Sequence, residues 1–225
     1  MNALDLASEV THSEDGTTRQ RTYTKSLPAM PVMPEEVATA LLLEEKLLSC
    51  ATRGSFLVLS VPPSRLARAE TELLARFPVE RVDGDLLFLR LLREVATRLE
   101  IEWDLILTAD AAAPDSFDGQ KLRQLVEMLR LKLHEALVFA SRTVLLVNPG
   151  LFARYGLMGV LAELRNDTGR TGGPHGLWIL IPAVVQSALP KLCGQPVPVI
   201  SDHQHILLPD AWLDNLHRTA MVTGK

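Results

Sequence analysis

Asp83, Asp85 and Asp110 are three carboxylates that together could hold a magnesium ion, and Ser64, Arg65 and Asn148 are groups that could face the phosphates of a nucleotide. A phosphate cradle needs a glycine-rich turn between strand and helix, a lysine that reaches the terminal phosphates, and an acidic ligand for the metal. The turn available here follows the apolar run Phe56 to Val61 and reads Pro62-Pro63-Ser64-Arg65, with neither glycine nor lysine. Proline has no backbone N–H to offer an anion. The second run, Thr143 to Val147, ends at Asn148-Pro149-Gly150. Asn148 stands where an acidic residue would be needed, and a neutral amide is a poor ligand for a hard divalent cation. These residues describe a nucleotide-binding kind of architecture with its chemistry missing.

The carboxylates have a structural reading too. Asp85 is well placed to cap a helix, and Asp110 to sit in a turn. Arg65 and Arg68 fall on the first-turn face of a helix and could meet phosphate, or simply line a solvated face. The loop Asn166 to Gly176 is rich in glycine, but a helix precedes it and a strand follows, so no helix N-terminus would point at a bound anion. Asp202, His203 and His205 suggest a metal cluster, since alternate residues of an extended segment share a face. No third histidine or cysteine lies at ligand spacing, so no metal is expected. His134 lacks a paired nucleophile, Ser60 and Ser64 lack the Gly-x-Ser-x-Gly elbow, and Cys193 has no recognisable base. No catalytic residue and no cofactor is assigned.

The elements that must position these groups alternate between helix and strand. Continuously apolar runs predict strands at Phe56–Val61, Trp103–Thr108, Val144–Val147, Leu177–Ile181 and Val197–Ile200, with a weaker one at Val79–Asp83. Pro34-Glu35-Glu36 opens a helix reaching Cys50, and Ser64 can cap the next, with Leu66, Ala69, Leu73 and Phe77 on its core face. A further helix runs from Leu86 to Leu99. Leu122, Leu125, Val126, Leu129, Leu133 and Leu137 recur at three- and four-residue spacing and predict one long helix. Others are expected at Leu151–Leu164, Ser187–Cys193 and Asp210–His217. Strands of this kind separated by helices predict a three-layer α/β fold, a mostly parallel sheet flanked by helices, P-loop-like or Rossmann-like with a degenerate nucleotide site. In such sheets ligands sit beyond the carboxyl ends of the strands, which is where Ser64, Arg65, Asp83, Asp110 and Asn148 are expected.

The 225 residues suffice for one large domain, and residues 1–32, polar and broken by Pro28 and Pro31, read as a flexible leader or linker before a single domain from residue 33 on. Hydrophobic content of 47% and charged content of 22% are ordinary for a soluble globular protein. A formal net charge of −4 disfavours nucleic acid as partner, although Arg65, Arg68, Arg165 and Arg170 leave DNA contact open. The two cysteines, Cys50 and Cys193, are far apart in sequence, which suits a reduced, cytoplasmic protein. No apolar stretch is long enough to span a bilayer. Trp103, Trp178 and Trp212 read as packing residues. Trp212 admits two readings: part of the core, or an exposed anchor for a partner.

Four blocks carry a family resemblance. They are Trp103 to Pro114, Val144 to Tyr155, Gly176 to Pro182 and Leu208 to Arg218. Together they make the span from about Glu35 to Arg218 resemble the C-terminal region of the PglW-type serine/threonine kinases of BREX (phage growth limitation) defence systems. The resemblance implies a setting in anti-phage defence and partners among the proteins of a defence complex. It carries over no catalytic residue. The chain has no kinase glycine-rich loop with its strand lysine, no His-Arg-Asp and no Asp-Phe-Gly, so kinase chemistry is not expected in it. The expected role is a non-catalytic interaction or regulatory module. The alternative is a degenerate ATPase-like domain that still binds nucleotide, its site completed by a partner subunit.

Overall fold

The computed structural model describes residues 34–183 and 189–223. The expected leader, residues 1–32, lies outside the described residues.

The chain opens with α1 (Glu35–Arg53), started by acidic Glu35 and Glu36 against the positive helix end and stopped at Gly54, whose φ of 78° suits a residue without a side chain. Strand β1 (Phe56–Val61) follows, then a 3-10 turn at Pro63–Arg65, α2 (Leu66–Arg76) and β2 (Val79–Asp83). Four helices come next: α3 (Gly84–Arg98), α4 (Trp103–Ala111), α5 (Phe117–Glu127) and α6 (Leu129–Val138). Strand β3 (Thr143–Val147) leads to α7 (Gly150–Arg154), α8 (Met158–Asp167) and β4 (Gly176–Pro182). A small ladder of β5 (Lys191–Leu192) with β6 (Gln195–Pro196) precedes β7 (His205–Leu207), α9 (Asp210–Leu213) and α10 (Leu216–Thr223).

The main sheet has the order β2-β3-β4-β1-β7, and every pairing in it is parallel. This is the expected α/β, three-layer arrangement. Strands β1 and β3 are buried along their whole length, and β4 is buried up to its last residue, Pro182, as strands covered on both faces must be. Their side chains divide by the pleat. Val58, Val144, Leu146, Leu177 and Ile179 pack into the core formed with α3 to α8. Leu57, Leu59, Leu145, Val147, Trp178 and Leu180 pack into the core formed with α1, α2 and α9. In doubly wound dinucleotide-binding sheets the first strand lies between the second and the fourth. Here β1 lies between β4 and β7, and β2 is at an edge.

Several expectations are corrected. Trp103–Thr108 is not a strand but most of α4, a surface helix in which Ile106 is the buried position. A short apolar run cannot be told from a helix segment by periodicity, and Thr108 seals the helix by donating its hydroxyl to the Asp104 carbonyl at 2.7 Å. No strand forms at Val197–Ile200; the fifth strand is β7, which begins at a histidine. The expected helix at Ser187–Cys193 lies partly outside the described residues, and within them Lys191–Leu192 is a strand. The long leucine-rich helix is broken at Met128 into α5 and α6. Likewise, Leu151–Leu164 is two helices, α7 and α8, and the C-terminal helix is the pair α9 and α10.

Candidate functional site

The chain leaves β1 outward to β2 and then returns strand by strand through β3 and β4 to β7. The turn after β1 therefore stands where the direction of winding reverses, the usual ligand position in an open α/β sheet. Ser64 and Arg65 occupy that turn. Ser64 does not cap α2: it is the middle residue of the 3-10 turn, and α2 starts without any side-chain cap. Arg65 points to the C-terminal helices. It donates Nε to Asp210 Oδ1 at 3.1 Å and Nη2 to Asp214 Oδ2 at 2.6 Å, and these two carboxylates raise its pKa further.

Asp83 and Asn148 meet at the ends of β2 and β3, paired in register through Asp83 and Val147. Asn148 adopts φ 49°, a left-handed conformation that asparagine tolerates better than most residues. Its Nδ2 donates to Asp83 Oδ2 at 2.8 Å. The other oxygen of Asp83 accepts from the Leu86 amide at 3.1 Å, so Asp83, rather than Asp85, is the N-cap of α3. Burial acts to raise the Asp83 carboxyl, but the Leu86 amide, Asn148 and Arg81 outweigh it and hold it below the usual carboxylate range.

Asp85 caps a different helix. Its Oδ1 accepts from the Leu151 amide at 2.7 Å in the first turn of α7, while its own amide donates to the Asn148 carbonyl at 3.0 Å. Burial pushes this carboxyl up. Between the two acids, Gly84 lies against Pro149: a side chain there would come within 3.0 Å of the Pro149 Cα. Asp83-Gly84-Asp85 and Asn148-Pro149-Gly150 thus form a reciprocal clasp, each segment bonding or capping the element that follows the other.

Asp110 is not part of this group. It belongs to α4 and accepts from the Tyr155 hydroxyl at 2.5 Å and from Arg154 at 2.7 Å. Burial, followed by the Asp110 carboxylate, pushes the Tyr155 phenol up to about 12. The proposed magnesium trio of Asp83, Asp85 and Asp110 is therefore divided among a β2–β3 bond, a helix cap and a tyrosine contact. No group of three His, Cys, Asp or Glu side chains among the described residues could hold a metal ion. Asp202 and His203 lie in a 3-10 turn that precedes β7 and so do not alternate with His205 along a strand. His205 instead bonds through Nε2 to the buried Ser60 hydroxyl at 2.8 Å, tying β7 to β1. Two hollows, of about 500 and 180 Å³, lie elsewhere: one beside Arg130, His134 and Glu163, the other beside Asp110, Arg123 and Tyr155.

A polar cluster that the sequence did not disclose holds the other face together. Glu44 of α1 accepts from Trp212 Nε1 at 2.6 Å, from Arg76 at 3.3 Å and from Arg218. Arg76, its side chain 1% exposed, also donates to Glu72 at 2.7 Å, to Asn215 Oδ1 at 2.6 Å and to the Trp212 carbonyl at 3.1 Å. Its guanidinium lies 4.0 Å from the centre of the Trp212 ring. Trp212 itself is fully buried and stacked on Phe77 at 6.2 Å. The exposed-anchor reading is thereby corrected in favour of the core one. Amphipathic spacing around Glu44 was visible, but its partners are 32 to 174 positions away, and no local pattern announces such a pairing.

No family model matches the chain, and no solved structure matches it. Over 213 residues, 90% of its length, it is 34% identical to a protein named Probable kinase PglW from Streptomyces coelicolor. Over that stretch the chain is similar to PglW. It spans 14% of the length of PglW, about a seventh.

Proposed function

We propose that this chain is a non-catalytic interaction or regulatory module of a BREX-type anti-phage defence system, acting on other proteins of the complex inside the cell. The similarity to one region of PglW supports the setting. One observation carries the non-catalytic reading: at the carboxyl edge of the sheet, Arg65, Asp83, Asp85 and Asn148 all bond within the fold. A nucleotide would have to break contacts that cap two helices and join two strands, and the turn after β1 supplies prolines where it would need amides.

A plaque assay in a host carrying a complete defence locus tests this reading. Deleting this region should abolish protection, whereas Ser64→Ala should leave it intact. Full protection without the region, or loss of protection from Ser64→Ala at unchanged protein level, would overturn it.

A second reading is that the domain still binds nucleotide and that a partner subunit completes the site. It is favoured by the strand order, in which β1 and β3 flank β4 and bring the turn after β1 and the end of β3 to one edge.

A further inference from the structure

We propose that the C-terminal helix pair α9–α10 is an acid-released latch governed by His217, whose ring is seated uncharged against α1 and α2 and opens the pair when it takes a proton. The His217 side chain is 1% exposed. Neither ring nitrogen makes a hydrogen bond of ordinary length and angle; the nearest acceptors are the Ala211 backbone and, at 3.7 Å, Glu44 Oε2. Buried polar groups normally have one, so an orphaned pair on a titratable ring points to a group whose ionisation matters.

The charges facing the ring come from three helices. From α1, Glu44 Oε2 lies 3.7 Å from His217 Nε2. From α2 comes Arg76, already bonded to Glu44 and Glu72. From α10 itself comes Arg218, bonded to Glu44. The acids of α9 and its following turn, Asp210 and Asp214, are engaged by Arg65. With a neutral His217 the two acids Glu44 and Glu72 already meet three cations, Arg68, Arg76 and Arg218. A proton on His217 adds a positive charge beside Arg76. Glu44, the acid that could answer it, is already shared among Trp212, Arg76 and Arg218. An imidazolium buried under those conditions lacks the full hydrogen bonding that makes a buried charge tolerable.

Burial pushes the His217 pKa down; Glu44 and the Ala211 backbone oppose that, Arg76 and Arg218 add to it, and the net shift is downward. Once the pair opens, His217 binds its proton at about the ordinary histidine value of 6.5, while the seated ring stays neutral to lower pH. The open state therefore binds more protons, and seating weakens as pH falls below that value. The break points are built in: Pro209 precedes α9, and Asn215, at φ 62°, joins the two helices. Release would uncover Trp212 and Phe77, an apolar surface available only in the open form.

Hydrogen–deuterium exchange on the whole chain, corrected for intrinsic rates, tests the latch. Between pH 7.5 and 5.5 the amides of residues 211–219 should lose protection as pH falls below the ordinary histidine value, by at most about tenfold per pH unit, the limit for one proton. Those of β3 and β4 should keep theirs. His205→Gln should retain the effect and His217→Gln should abolish it. Equal protection at both pH values would overturn the proposal, as would a loss shared by β3 and β4, or a pH effect that survives His217→Gln. Should His217→Gln fail to fold, an NMR titration of the native His217 ring decides. A midpoint below the ordinary value that tracks the loss of protection supports the latch, and an ordinary midpoint sinks it.

Discussion

Asn148 gives its side-chain amide to Asp83 at 2.8 Å, joining the ends of β3 and β2 at the place where a nucleotide site would hold its metal. An aspartate at position 148 could not make this bond, because it would set two carboxylates against each other. The neutral residue that would make a poor metal ligand is the one that joins the two strand ends.

Asn148→Asp should therefore destabilise the protein at pH 7 by about 1–2 kcal/mol, the scale of a lost hydrogen bond plus a poorly satisfied partner. The left-handed backbone remains accessible to aspartate, so the cost is electrostatic. Urea midpoints should show the deficit shrinking as pH falls into the carboxylate range, where a shared proton restores a donor. A deficit independent of pH would contradict this origin.

Trp212→Ala should cost about 3–5 kcal/mol, as large-to-small changes in a core do. Trp212→Phe keeps a ring against Phe77 but loses the bond to Glu44, and should cost less, roughly 1–2 kcal/mol for the bond. Chemical denaturation ranks the two variants. Equal losses would mean that the indole N–H, rather than ring packing, dominates the site.

Arg65→Ala should leave stability nearly unchanged. Its ion pairs with Asp210 and Asp214 are substantially exposed, and exposed pairs contribute little. A marked loss would show that Arg65 clamps the C-terminal helices.

Acid should destabilise the fold with a defined sign. The carboxyls of Glu44 and Glu72 are both held low: burial acts to raise each, and bonds to Arg218 and Trp212 for Glu44, and to Arg76 for Glu72, outweigh it. Asp83 is held low as well. Their contribution is complete above the ordinary carboxylate values, about 4, and is lost as pH falls through the lowered folded-state values. Asp85, pushed up by burial, works the other way. Glu44→Gln should thus flatten the fall in unfolding free energy below about pH 4, and an unchanged slope would remove Glu44 from the acid response.

The sheet was largely legible because β1, β3 and β4 are continuous apolar runs bounded by glycine, proline or asparagine, and burial on both faces permits nothing else. Trp103–Thr108 has the same composition and became a helix, since its length suits either state and only packing decides. β7 was missed because an edge strand of three residues starting at His205 carries almost no hydrophobic signal. In the candidate site, Ser64, Arg65, Asp83 and Asn148 were expected at the carboxyl edge and stand there, whereas Asp110 was misplaced with its strand. Which groups bond to one another was not legible. Asp83 and Asn148 are 65 positions apart in the chain, and only the β2–β3 register brings them together.

Isothermal titration calorimetry of the purified 225-residue chain with magnesium ATP tests the central claim most directly. No saturable heat at millimolar nucleotide and no magnesium-dependent phosphate release are expected, because Arg65, Asp83 and Asn148 are bonded within the fold. Saturable, magnesium-dependent binding that Ser64→Ala or Asp83→Asn abolishes would contradict it.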